Sequence, residues 1–543
     1  MMTADKPVEE TNFSITMDDL ARKLISGTYE EFSKNTLQVF IKNYEDKTKI
    51  ERICNSQLRE QIWEKLFEYL SKSEYASMHL NCLAALRILS RDKTDLDKIV
   101  TAEMVTLLLR LAELDCQKNE QQILSTNVSV ESAKVLCNLL YHSFKVRELV
   151  IEKNCLENLI NRINKYTVNS SHEMKLFDIK MLFIITALNT STRNTVKELN
   201  GDFCLLNILD ELLEQHKSNV SMSFSIKNDD VMLICDILKV LFNLYIHSED
   251  SVIEEQEKNK KLTTCLYKFL YNKNWSKYKD LVSNVINLLT TIPLKNYIQM
   301  MQSNENNENN IVYQNTDVTT VSVVLEFLDQ RLNYTENLLE NLSPVVTVLI
   351  RLVKADKSVR KYVRLQVLPP LKDVMKRPEE GTTLKAKLCK LLTSPITKLR
   401  DIVAEFLFIL CKENVSRMVK YTGYGNAAGM FANKGLLGRN QEKISYSESE
   451  DSDTEEYLKY KEQINPVTGC YEKIKPNLLE GMTDEQKEYE ALQLVNLVDQ
   501  LTRGGVVRPC RIGDDGKPKP IEHVLELQDE LQKQQYRRES DSD

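Results

Sequence analysis

Along most of this chain apolar residues recur three and four positions apart, the spacing of helices with one buried stripe rather than the alternation of strands. Ile237, Val240, Leu241 and Leu244 form one such stripe; Leu399, Ile402, Val403, Phe406 and Leu410 form another. One kind of helix keeps returning, as CLAALRILSR (82–91), SAKVLCNLLYH (132–142), KMLFIITALNT (180–190), DILKVLFNLYIH (236–247), SNVINLLTTI (283–292), VVTVLIRLVK (345–354) and RDIVAEFLFILC (400–411). Aligned on Leu89, Leu139, Leu188, Leu244, Leu288, Leu352 and Leu410, these give a period of 44 to 64 residues. That is an armadillo or HEAT period of about 40–47 residues with loop insertions. The insertions are polar, at 217–230 and 303–315.

The pattern predicts an all-α chain, an armadillo/HEAT-like helical-repeat superhelix over residues 1–425 with an extended C-terminal tail containing two helices. Each repeat buries its apolar face against its neighbours, which leaves a concave surface suited to an elongated partner. A Gly-rich junction and acidic segment follow over 426–480, and a helical tail over 481–543.

The position before each anchor leucine includes Asn138, Asn243, Asn287 and Arg351. An Asn amide both donates to and accepts from a peptide backbone, so these residues suit a binding ladder; they equally suit satisfying their own helices and loops. Arg87 and Arg91, four apart on one helix face, add a positive site at the N-terminal end of the groove.

With 543 residues, 14 Gly and 12 Pro, the composition favours helix over turn-rich folds. The net charge of -7 gives no general reason to expect nucleic acid or an anionic membrane as partner. Twelve cysteines include no CxxC pair, and most sit among apolar neighbours as small core residues. The N-terminus lacks a secretory signal, and no window reaches the roughly 18 apolar residues of a membrane span. A reduced, soluble, cytoplasmic monomer is the expectation, with no cofactor, no metal and no Ser-His-Asp or Cys-His set.

Charge is strongly local. SYSESEDSDTEEY (445–457) holds six carboxylates and no base, and a run this acidic cannot bury itself. Just upstream, residues 351–400 carry 14 Lys or Arg against 4 Asp or Glu. Ser447 and Ser452 each have Glu at the +3 position, which an acidophilic casein kinase 2-type kinase requires. Phosphate at either serine would suit Lys and Arg, so Lys361, Lys372, Lys376 and Arg377 are the expected docking residues.

VAEFLFILCKENVSRMVKYTGYGNAAGMFANKGLL, the acidic run, INPVTG (464–469) and GMTDEQKEYEALQLVNLVDQLTR (481–503) together closely resemble synembryn, the resistance-to-inhibitors-of-cholinesterase family. RILSRDK (87–93) and RLQVLPPLKDV (364–374) fit the same resemblance. It implies a non-receptor guanine nucleotide exchange factor and folding chaperone for heterotrimeric G-protein α subunits. In that family the concave face captures the terminal helix at the C-terminus of the α subunit, and the tail embraces its GTPase domain. Carried onto this chain, Arg87, Arg91, Asn138, Phe242 and the Arg360 to Arg364 cluster fall on that face, and Ser447 and Ser452 match phosphorylation sites. The partner would also draw the protein to the cell cortex or plasma membrane.

GYGNAAG (423–429) is no nucleotide loop: a helix pattern precedes it, no GKS or GKT follows, and a helix junction is the better reading. Thr483 and Gln486 form a capping box for a helix closed by Gly504 and Gly505. Its stripe of Ala491, Leu494, Val495, Val498 and Leu501 fits either the repeats or a partner groove. RPCRIGDDGKPKP (508–520) reads as a turn-rich linker, and 521–535 as a last amphipathic helix. The competing class is a non-catalytic armadillo scaffold or adaptor. An import receptor is disfavoured within that class, since its groove needs Trp arrays and the chain has only Trp63 and Trp275.

Overall fold

A computed structural model describes residues 22–23, 36–47, 56–115, 126–167, 170–216, 226–246, 253–271, 275–301, 310–437, 454–473, 479, 481–513 and 515–521. The chain divides into two compact units, residues 1–296 and 297–543.

In the first unit the principal helices alternate between two layers. In chain order they are α1 (Thr36–Tyr44), α2 (Ser56–Ser71), α3 (His79–Leu89), α4 (Ala102–Leu111), α5 (Thr126–His142), α6 (Cys155–Asn164), α7 (His172–Leu188), α8 (Gly201–Gln215), α9 (Asn228–Tyr245), α10 (Ile253–Leu270) and α11 (Lys279–Leu289). The odd-numbered helices form one row, each packed on the next from α1 to α11, and the even-numbered ones back them. This is the stacked arrangement that the repeat period requires, since a lone helical pair leaves an apolar face in water.

Local chemistry sets the turns. α6 and α8 each begin after an asparagine in the left-handed conformation, Asn154 at φ 54° and Asn200 at φ 56°. Asn tolerates that region better than other non-glycine residues. Ser143 and Ser171 instead cap the helices that follow them by accepting from Val146 and Met174 main-chain N–H groups.

Of the seven anchor leucines, six are buried, among them Leu89, Leu139, Leu288 and Leu410 at 0% exposure. Truncating one such leucine to alanine would cost about 2–5 kcal/mol. Leu188 departs from the alignment: it ends α7 at 46% exposure, and Ile185, one turn earlier, is buried in its place.

The second unit contains α12 (Thr319–Arg331), α13 (Leu338–Ala355), α14 (Lys357–Val367), α15 (Leu384–Leu391), α16 (Thr397–Leu410), α17 (Val415–Thr422) and α18 (Tyr424–Lys434). α16 is central to it, with α13, α14, α15, α17 and α18 all packed on it. After them come α19 (Glu455–Tyr460) and α20 (Asp484–Arg503). Three two-stranded hairpins complete the described part of the unit: β1 (Val312–Tyr313) with β2 (Thr316–Asp317), β3 (Ile464–Asn465) with β4 (Cys470–Tyr471), and β5 (Cys510–Ile512) with β6 (Pro518–Pro520).

Two expectations need adjustment here. Within the expected linker, residues 510–512 and 518–520 pair as a hairpin, with Cys510 opposite Pro520 and Ile512 opposite Pro518. Proline cannot donate to a ladder, but the unpaired edge of a two-stranded hairpin does not ask it to. α18 also runs across the expected boundary at 425/426. Ser447, Ser452 and residues 522–535 lie outside the described residues.

Nine of the ten described cysteines are buried, and all ten are free. Burial pushes the thiols of Cys82, Cys137 and Cys389 up to about 12, so they serve as small apolar side chains. No described helix is long and apolar enough to cross a membrane.

Candidate functional site

The outward face of the odd-numbered row carries half-exposed side chains at helical spacing. On α5 these are Lys134 and Asn138; on α7, Phe177, Lys180 and Phe183; on α9, Lys239 and Phe242; on α11, Asn287. The helices are cross-linked through them. Lys134 Nζ lies 2.7 Å from Glu173 of α7 and 3.0 Å from Glu131 of its own helix.

Cations also cover rings along the row. Lys134 and Lys180 stand 5.3 and 5.4 Å from the Phe177 ring, and Lys239 stands 5.8 Å from Phe183. Such pairs set an ammonium over a ring face, so each half-exposed ring stands beside a positive charge and offers a partner apolar edge and cation together. The sequence alone hides Phe177 and Phe183, because phenylalanine on an apolar helix reads as core.

Several predicted residues are already engaged. Arg87 Nε is hydrogen-bonded to Glu131, and its NH2 lies 3.5 Å from Glu45. Arg91 donates to the carbonyls of Tyr44, Glu45 and Lys47 at 3.0, 2.9 and 2.6 Å, closing the C-terminal end of α1 where the helix dipole favours a cation. Burial and the neighbouring Arg87 charge draw the Arg91 guanidinium below its ordinary value. Asn138 Nδ2 donates to Arg87 O at 3.1 Å and to Ser90 Oγ at 2.9 Å. Asn243 is buried and donates to Thr186 Oγ1 at 3.1 Å. These two Asn amides therefore stitch neighbouring repeats together, while Phe242 and Asn287 remain half-exposed.

The other predicted residues lie in the second unit. Arg351 on α13 is hydrogen-bonded to the hydroxyl of fully buried Tyr297; burial pushes that phenol up and the arginine opposes the shift. Arg360, Lys361 and Arg364 are half-exposed on α14. Lys372, Lys376 and Arg377 are exposed on the loop that follows, and line a cleft of about 710 Å³ with Pro369, Pro370 and Lys385. Burial lowers the Lys385 ammonium below its ordinary value.

Residues 454–473 clasp this loop and the α17–α18 junction. The Thr454 hydroxyl donates to Leu371 O, and Tyr471 N–H donates to Val374 O at 2.7 Å. Tyr457 is buried beneath Lys420, whose ammonium lies 4.6 Å from the ring. At the other side the first N–H groups of α18, from Tyr424 and Gly425, donate to Pro466 O at 2.8 Å and Val467 O at 2.9 Å. Gly423 and Gly469 make this approach possible: a Cβ on Gly469 would stand 3.0 Å from Gly423 Cα and 2.8 Å from Pro378 Cγ. GYGNAAG is thus a helix junction whose free donors INPVTG takes up.

α20 has the capping box expected of Thr483 and Gln486, and Gly504 closes it. None of its residues is buried. Tyr489, Leu492, Leu494 and Leu497 are each more than half exposed, and of the apolar stripe Val495, Val498 and Leu501 are partly covered. A helix this exposed draws little stability from tertiary packing.

The family model described as "Guanine nucleotide exchange factor synembryn" matches residues 82–517. This chain belongs to the synembryn family. It is 36% identical to the protein named Chaperone Ric-8 of Drosophila pseudoobscura pseudoobscura over 96% of this chain and 99% of that one. It is 35% identical to Chaperone Ric-8A of Xenopus tropicalis over 96% and 97%, and 35% identical to Chaperone Ric-8A of Mus musculus over 87% and 89%. A solved structure from the cadherin and β-catenin system aligns with 78% of this chain and 72% of its own at 13% identity and a TM-score of 0.48. The synembryn match runs from Cys82 within α3 through α18, the clasp and α20 to strand β5.

Proposed function

We propose that this chain is a guanine nucleotide exchange factor and folding chaperone for heterotrimeric G-protein α subunits, acting without covalent chemistry. The terminal helix at the C-terminus of the α subunit lies along the outward face of α3 to α11, and the tail meets the GTPase domain through the apolar face of α20. The observation that carries this reading is the line of half-exposed rings and cations on α5, α7 and α9. A peptide helix with mixed apolar and acidic positions complements such a line.

Exchange follows from linkage. A groove that holds the terminal helix only when it has left its own domain binds the nucleotide-free state more tightly and raises its population. GDP leaves because the loop before that helix no longer holds the base. GTP favours the closed state, so it expels the exchange factor. The same preference for a partly opened partner supports chaperoning of a newly made α subunit.

Phosphorylation of Ser447 and Ser452 by a casein kinase 2-type kinase acts on the second unit. Thr454 is fixed on Leu371, next to Lys372. Ser452 is two residues of chain, about 7 Å at most, from Thr454, and Lys372, Lys376 and Arg377 are the cations of the loop on which Thr454 is fixed. Lys361, on α14, is the fourth docking residue. The protein works in the cytoplasm as a monomer, and its partner brings it to the membrane.

GDP release from purified α subunits, measured with this protein before and after casein kinase 2 treatment, tests the reading. Faster release, increasing further with phosphorylation, supports it. Binding without any change in release rate points to a scaffold or dedicated chaperone instead.

A further inference from the structure

α20 buries no side chain, so its position is set by what holds its two ends. Upstream of it the clasp at 454–473 is the last segment fixed on the second unit. Downstream is hairpin β5–β6, whose tip meets the end of α18 at a crossing of two glycines. Gly435 closes α18 at φ 68°, and a Cβ there would stand 2.5 Å from Asp515 O. Gly516, at φ 69°, has the Gly435 carbonyl oxygen inside the space that its own Cβ would need. Leu437 N–H donates to Gly516 O at 3.1 Å, and Gly516 N–H to Gly513 O at 2.8 Å. Beyond the hairpin Ile521 is buried, its N–H donating to Pro509 O at 3.1 Å. No side chain other than hydrogen fits at either position of the crossing.

We infer that Gly435 and Gly516 are positioning residues for the tail: their crossing is the second anchor that holds α20, with its apolar face, at a fixed place on the second unit. This rests on the reading that α20 meets the α subunit. A helix of twenty residues is about 30 Å long, and held only at the clasp it would sweep a large volume. Held at both ends it presents the Tyr489 to Leu501 face at a high effective concentration.

Gly516→Ala in the full-length protein tests this, beside Lys517→Ala as a neighbouring control and a truncation after residue 505 as the unanchored reference. Without any partner, hydrogen exchange of residues 510–521 and tryptic cleavage after Arg503 and Arg511 should rise in Gly516→Ala, and cleavage after Arg503 should approach that of the truncated protein, with Lys517→Ala unchanged. With an α subunit, the concentration needed for half-maximal GDP release should rise about tenfold, while affinity for an isolated peptide from the C-terminus of that subunit stays the same. Gly516→Asn should behave as Gly516→Ala does, because asparagine tolerates the left-handed backbone but still brings a Cβ. Rescue by asparagine would mean that backbone conformation and not the crossing is at stake, and would overturn the inference. So would unchanged exchange and cleavage in Gly516→Ala. If the wild-type protein does not accelerate GDP release at all, the exchange reading fails, while the partner-free measurements still judge the anchor.

Discussion

The side-chain amide of Asn138 donates to the main-chain carbonyl of Arg87, 51 residues upstream, at 3.1 Å. The same amide donates to Ser90 Oγ at 2.9 Å, so one asparagine ties α5 to the C-terminal turn of α3. Asn138→Ala removes the donor to the Ser90 hydroxyl and one of two donors to the Arg87 carbonyl, which keeps its bond from Ser90 Oγ at 2.8 Å. The expected loss is about 1–2 kcal/mol, seen as a lower urea midpoint with an unchanged slope, together with weaker binding of a peptide from the C-terminus of the α subunit as Arg87 loses its footing. A variant as stable as wild type would show the bond to be replaceable by water.

That bond also marks what the sequence can and cannot reveal. The helices are legible because their apolar period is local, and Leu89, Leu139 and Leu244 are buried as the period demands. Leu188 shifts the alignment by one turn because helix ends carry the same leucines as helix middles. Partners for Asn138 and Arg91 are invisible, since a residue's pattern does not show which carbonyl 44 to 51 residues away it will meet. Hairpin β5–β6 reads as linker because its prolines argue against strands, and the Gly423 and Gly469 approach exists only in three dimensions.

His142, at the end of α5, gives the first unit a pH dependence. Burial lowers its imidazole below the ordinary value of 6.5, with Lys93 adding to the shift and Asp92 opposing it. The unfolded chain then takes up the proton more readily than the folded one. Stability is fully present above about pH 6.5 and falls as the pH drops through the window below it. His142→Phe should lose less thermal stability than wild type between about pH 7.5 and 5.5; equal losses would place the sensitivity elsewhere.

α20 separates fold from activity. Leu494 and Leu497 are 62% and 53% exposed, so replacing both with Asp should leave stability within about 0.5 kcal/mol of wild type. GDP release from the α subunit should nevertheless slow, and binding of the isolated C-terminal peptide should not change. Loss of peptide binding in that variant would show that the tail and the helix row do not act separately.

Phosphate docking makes a charge-specific prediction. Kinase treatment should raise the protease resistance of the second unit, and Ser447→Ala with Ser452→Ala should abolish that gain. Glu at Lys372, Lys376 and Arg377 should abolish it equally while leaving the serines phosphorylated. A gain that survives the charge reversal would move the docking site to α14 and Lys361.

The carbonyls of Pro466 and Val467 sit on the opening turn of α18, where a glycine-rich helix start would otherwise face outward. An approaching nucleotide would meet two oxygens there in place of two donors, and oxygen repels phosphate. This junction therefore offers neither GDP nor GTP a phosphate cradle, and titrating either nucleotide into the protein should give no binding at the α17–α18 turn.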